Sequence, residues 1–178
     1  AAKMEPLQIP EEVYDNLISV IHESIPTLNE YLALRKDTLK VDELHMYDLY
    51  TSMVSDFKMD LPYDKAFDMV LEGLVPMGED YLNKLREARV GGWIDVYPTE
   101  GKSSGAFSSG GLRDVHPYVL LNHNDNLDDT FTIAHELGHS MHSYYSNMNQ
   151  PTAKSDYSLF VAEVASTCNE AVMMRYLL

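Results

Sequence analysis

The chain has 178 residues, 45% hydrophobic and 23% charged, which is enough for one ordinary domain with its own core and excludes a disordered chain. Its formal net charge of −15, from 28 acidic against 13 basic residues, argues against nucleic acid as a partner, because no Lys/Arg cluster offsets the repulsion of phosphates. No apolar run approaches the roughly 20 residues that span a bilayer, and the single Cys168 excludes an internal disulfide.

The start, Ala1-Ala2-Lys3-Met4-Glu5-Pro6, lacks the basic-then-apolar order of a signal peptide. With one cysteine and no leader, a cytoplasmic location is expected. The acidic field could favour cationic peptides, but solubility is its simpler role.

The first ninety residues read as helices. Glu11 to Ser24 places Val13, Leu17, Ile18 and Ile21 at helical spacing after Pro10, and Pro26 is expected to interrupt. A second helix would carry Leu28, Tyr31, Leu32 and Leu34. Asp42 could cap a third, with Leu44, Tyr47, Leu49, Tyr50 and Met53 as its apolar positions. After Asp60-Leu61-Pro62 a helix from Tyr63 presents Ala66, Phe67, Met69, Val70 and Leu74, and another carries Tyr81, Leu82 and Leu85 up to Gly91-Gly92. These stripes are assigned to packing, not to a cofactor.

From Gly91-Gly92-Trp93 onward the composition changes. Ile94 to Tyr97 and Pro117 to Asn122 read as strands, and Gly105-Ala106-Phe107-Ser108 as a third, short edge strand, or else a flexible hairpin loop. The three pieces fit a small antiparallel sheet. Two helices follow, from about Asp128 to Ser146 and from about Tyr157 to Leu178, the last ending without a stop signal as though cut. The fold class is mainly α with this small sheet. Residues 1–92 form a helical part and residues 93–178 the part that bears the candidate site, both within one larger catalytic domain.

The chemistry concentrates at His135-Glu136-Leu137-Gly138-His139. Histidines four apart on a helix project from one face, so two ring nitrogens can reach one Zn²⁺ at about 2.0–2.1 Å. Glu136 then lies beside the open metal position, where it can take a proton from water and pass it to the leaving amine. Gly138 leaves room for a second element to pack closely. A metzincin would need Gly and His where this chain has His142 and Tyr145, so that subclass is excluded. His142 is assigned to packing or to an outer shell around the metal. A third ligand is expected from the following helix, with Asp156, Glu163 and Glu170 as candidates. Spacing, together with the apolar setting of Glu163, puts it ahead of Glu170.

Several stretches resemble oligoendopeptidase F, of the thimet-oligopeptidase-like metallopeptidases. They include Asp42 to Tyr50, Trp93 to Tyr97, Gly105 to Gly110, Phe131 to Tyr145, and Phe160 to Thr167. The resemblance implies that His135, His139 and Glu163 bind zinc and that Glu136 is the general base. It also implies a clam-like, zincin-type fold whose channel admits short peptides, with the substrate backbone laid along Gly105, Ala106, Phe107 and Ser108. The family has tyrosine where this chain has Phe107, and Leu112 to His116 replace the usual sequence that follows, which bears on substrate preference. Family members are several times longer and carry oxyanion-stabilising residues in a segment that would follow Leu178. A non-catalytic zinc-binding fragment and a helical interaction module are therefore the alternative readings, and surface left bare by truncation could self-associate.

Overall fold

The computed structural model describes residues 4–54 and 59–178. Ala1 to Lys3, part of the start read above as lacking a signal peptide, lie outside the described residues. The chain forms two compact units, Ala1–Lys58 and Met59–Leu178.

In the first unit one helix, α1 (Glu11–Leu39), runs through Pro26 without a break, where two helices were expected. A proline removes one backbone donor and costs about 3 kcal/mol in a helix interior, and 29 residues of mostly good helix formers absorb that loss. The helix expected after Asp42 is absent. In its place a 3₁₀ turn, Met46–Tyr50, forms, because Arg35 takes the carbonyls a helix would use. The buried Arg35 donates from Nε and Nη2 to Asp48 O at 3.0 and 2.7 Å, and from Nη2 to Thr51 O. The apolar residues of α1 assigned to packing, among them Val13, Leu17, Ile21 and Leu34, are exposed. Among the described residues of this unit, α1 is joined only by the short 3₁₀ turns Glu5–Leu7 and Met46–Tyr50, which provide no second layer to bury them.

The second unit contains α2 (Tyr63–Gly73), α3 (Glu79–Val90), β1 (Ile94–Asp95), β2 (Phe107–Ser109), β3 (Tyr118–Leu120), α4 (Leu127–Asn149) and α5 (Leu159–Leu177). The expected stripe of α2 is the heart of the core: Ala66, Phe67, Val70 and Leu74 are fully buried, against Leu85 of α3, Ile133, Leu137 and Met141 of α4, and Met173 of α5. Each large aliphatic or aromatic side chain so buried contributes about 1.5–3 kcal/mol. Asn126 caps α4, its side chain accepting from the Asp129 N–H at 2.8 Å.

The sheet is mixed where an antiparallel one was expected. Its order is β1-β3-β2, with Ile94 opposite Val119 in a parallel pair and Ser108 opposite Val119 in an antiparallel pair. The long connection from Asp95 to Phe107 carries the chain past the position of β3, so β3 later inserts between its two predecessors. That leaves β1 parallel, as crossover connections do. β2 is an edge strand, and it spans Phe107–Ser109 instead of beginning at Gly105. Gly105 has a left-handed φ of 81°, which takes it out of the extended run.

Candidate metal centre

α4 and α5 lie against each other along Gly138. A Cβ placed on that glycine would stand 2.7 Å from Ser166 Cα and 2.8 Å from Ala165 O, so no larger residue fits without separating the helices. This close approach brings Glu163, in the first turns of α5, to the two histidines of α4.

Three donor atoms converge there. His135 Nε2 and His139 Nε2 are 3.1 Å apart, and Glu163 Oε2 stands 3.3 Å from the first and 3.4 Å from the second. Ligands about 2.0–2.1 Å from a tetrahedral zinc are about 3.3–3.4 Å from each other, so the donor set fits that ion in both chemistry and spacing. Among the described residues this is the one group of three or more His, Cys, Asp or Glu side chains close enough to hold a metal. The structure therefore brings together His135, His139 and Glu163 and leaves Asp156 out. That carboxylate instead accepts from the Tyr157 N–H at 3.0 Å.

Glu163 reaches the site for a different reason from the one its sequence context suggested. Its side chain is 62% exposed, and Phe160, Val161 and Val164 around it are exposed as well. Desolvation therefore does not single it out; its place on α5 opposite His139 does. Ser166 orients it, donating from Oγ to Glu163 Oε2 at 2.8 Å.

Glu170, one of the three candidate ligands, accepts a hydrogen bond from Nδ1 of His135. That bond places the proton on Nδ1 and leaves the Nε2 lone pair directed at the donor cluster, the arrangement expected of a metal-ligating imidazole. Burial pushes the His139 pKa down, with the Glu163 charge opposing, which favours the neutral ring that a metal ligand needs. His142 does not join the cluster. Its ring stacks on Tyr157 at 3.7 Å between centroids and 7° between planes, and burial lowers its pKa too.

Glu136 is only 6% exposed, and its Oε2 is a buried carboxylate atom with no hydrogen-bond partner among the described residues. Burial raises its pKa, Glu163 adds to the rise, and His135 opposes it. A buried, unpartnered carboxylate costs free energy unless something is to be bound there. It borders a cavity of about 740 Å³ lined also by Ala106, Phe131, Thr132, His135 and Glu170. Of the four residues expected to lie along a peptide, Ala106 lines this cavity and Gly105 a smaller one beside it. Phe107 is half exposed, and Ser108 turns its hydroxyl toward α4.

Three buried polar residues at the site carry no role in the reading of the sequence: Ser140, Ser166 and Asn169. Each is fully buried, and the available signal is a small polar residue inside an apolar helical run.

Comparison with known proteins shows the family to which the chain belongs. The model of peptidase family M3 matches residues 1–178. The chain is 51% identical over 170 residues to oligopeptidase PepF of Bacillus subtilis, covering 96% of this chain and 25% of that protein. It is 44% identical over 170 residues to group B oligopeptidase PepB of Streptococcus agalactiae, again covering 96% of this chain and 28% of the relative. The chain thus spans about a quarter of the length of these relatives. The crystal structure of oligoendopeptidase-F from Enterococcus faecium superposes with a TM-score of 0.55 at 32% identity, over 99% of this chain and 23% of that one. A Chlamydophila abortus protein classed as a peptidase superposes with a TM-score of 0.78 at 38% identity, over 99% and 29% of the two chains. These matches accord with the resemblance to oligoendopeptidase F. The chain belongs to peptidase family M3.

Proposed function

We propose that this chain carries the catalytic centre of a zinc-dependent, cytoplasmic endopeptidase that hydrolyses internal bonds of short oligopeptides. Residues 1–92 and 93–178 would be the helical and site-bearing parts of its catalytic domain. The observation that carries the reading is the mutual spacing of His135 Nε2, His139 Nε2 and Glu163 Oε2, at 3.1–3.4 Å. Zinc bound there would act as a Lewis acid toward water and toward the scissile carbonyl.

The chain's own residues supply the rest. Glu170 holds His135 in the tautomer that leaves Nε2 free. The Glu136 carboxylate, buried and with Oε2 unpartnered, takes the proton from water and delivers it to the leaving amine nitrogen. Its raised pKa makes it a stronger base than an exposed glutamate. The edge strand β2 offers unpaired backbone groups to which an extended peptide can add by main-chain hydrogen bonds.

The test is a zinc titration against a competing chelator, paired with cleavage of an internally quenched oligopeptide. One zinc per chain is expected, lost in His135→Ala, His139→Ala and Glu163→Ala, with cleavage that chelator abolishes. Undiminished zinc binding in all three variants would overturn the assignment. A second reading, a zinc-binding piece without activity of its own, is supported by the quarter-length coverage of the relatives. It predicts stoichiometric zinc without cleavage by the isolated chain.

A further inference from the structure

Four residues of α4, Glu136, Ser140, Ser143 and Asn147, recur at helical spacing and form one stripe, next to the stripe that carries His135, His139 and His142. The edge strand β2 and the residue after it are fastened along this stripe. Ser108 Oγ lies 2.8 Å from Ser140 Oγ. Gly110 sits so close to α4 that a Cβ there would stand 2.5 Å from Ser143 Cβ, and Asn147 Nδ2 donates to Gly110 O at 2.6 Å. The topmost residue of the stripe is the proposed base.

The donors and acceptors at the serine pair can be assigned. Ser140 is fully buried and donates its hydroxyl hydrogen to the Glu136 carbonyl at 3.0 Å. A hydroxyl has one hydrogen, and the arrangement that satisfies both contacts gives Ser140's to the Glu136 carbonyl and makes Ser108 the donor of the pair. A directed chain results, from the Ser108 hydroxyl to the Ser140 hydroxyl to the carbonyl of Glu136. One end lies on the strand that would hold the peptide backbone, the other on the residue that would move the proton.

We infer that Ser108 is a positioning residue, whose hydrogen bond to Ser140 sets the distance between the peptide-binding edge of β2 and the Glu136 carboxylate. This rests on the proposed peptidase function. Its side chain points at α4, so it acts on the peptide only through the strand. The tether fixes where β2 sits against α4 and leaves untouched the β2 backbone groups that would take the peptide, so its loss displaces a bound peptide relative to Glu136 while the main-chain hydrogen bonds to β2 persist. Turnover suffers, since misplacement by about 1 Å costs up to about 10²-fold in rate.

The experiment compares wild type, Ser108→Ala and Ser108→Thr in the zinc-loaded full-length protein. It measures kcat and KM on a quenched oligopeptide, and separately the Kd for the same peptide with a reduced, uncleavable amide. Ser108→Ala is expected to lower kcat about tenfold, leaving that Kd within about twofold and the zinc content unchanged. Ser108→Thr, which keeps the hydroxyl and suits a strand, is expected to recover most of the loss. Equal kcat in wild type and Ser108→Ala overturns the inference, as does a Kd that weakens in step with kcat or a threonine variant as slow as alanine. A wild type that holds zinc but shows no chelator-sensitive cleavage would overturn the peptidase reading itself, and the positioning role with it.

Discussion

Asn169 Nδ2 donates to the carbonyl of Ala134 at 2.8 Å, and the residue that follows each of them, Glu170 and His135, is joined by a second hydrogen bond. Two successive residues of α4 are thus tied to two successive residues of α5, one pair by side chain to backbone and the other by side chain to side chain. A third helix joins through Tyr81 of α3, whose hydroxyl donates to Asn169 Oδ1 at 3.0 Å. Burial pushes that phenol up to about 12, which keeps it a donor. Asn169→Ala leaves both the Ala134 carbonyl and the Tyr81 hydroxyl without their partner. It is expected to cost about 3 kcal/mol in urea unfolding, against about 1 kcal/mol for Tyr81→Phe. Equal costs for the two variants would mean that Asn169 is not the hub.

Gly138→Ala tests the helix approach that brings the ligands together. The new methyl would press on Ser166 Cα and Ala165 O, which are backbone and cannot swing aside. A loss of about 1–3 kcal/mol is expected from overpacking, with weakened zinc binding because α5 carries Glu163. Wild-type zinc affinity in this variant would show that the close contact is not needed to assemble the site.

On the proposed function, Glu170 would act through His135 and not as a ligand. Glu170→Ala frees the Nδ1 proton from its acceptor and lets the ring turn. Zinc affinity is expected to fall about 10–100-fold, with stoichiometry still one per chain. Complete loss of zinc at saturating concentration would instead make Glu170 a ligand.

The Glu136 carboxyl gives a signed dependence on pH. Its pKa is raised in the folded protein, chiefly by burial. For a raised carboxyl, stability is fully present below the unfolded pKa and is lost as pH rises through the folded value. In metal-free protein Glu136→Gln, which is neutral at every pH, is therefore expected to melt higher than wild type near neutral pH. The gap should close as pH falls below the ordinary value of 4.5. A wild type that gains stability over the variant on raising the pH would contradict the assignment of burial as the main cause.

How much of this was legible in the sequence depends on the residue. The α2 stripe was, because Ala66, Phe67, Met69, Val70 and Leu74 follow the helical period and all but the partly buried Met69 are fully buried. The two histidines were, because their spacing alone puts them on one face. Pro26 misled, since a proline penalty is local and the surrounding helix extends over 29 residues. The helix after Asp42 failed on a long-range contact, the capture of the Asp48 and Thr51 carbonyls by Arg35, which no local pattern shows. Glu163 was singled out by its apolar neighbours, yet these neighbours are exposed and the closeness of α4 and α5 is what places it. Ser140 and Asn169 were invisible because a satisfied buried polar group looks, in sequence, like any tolerated polar residue in a helix.

Replacing Glu136 with glutamine tests the central claim most directly, with zinc per chain and cleavage of a quenched oligopeptide measured on the same samples of the full-length protein. One zinc in both proteins and chelator-sensitive cleavage in wild type alone is the predicted result. Cleavage by Glu136→Gln at the wild-type rate would contradict the role of Glu136 as the base.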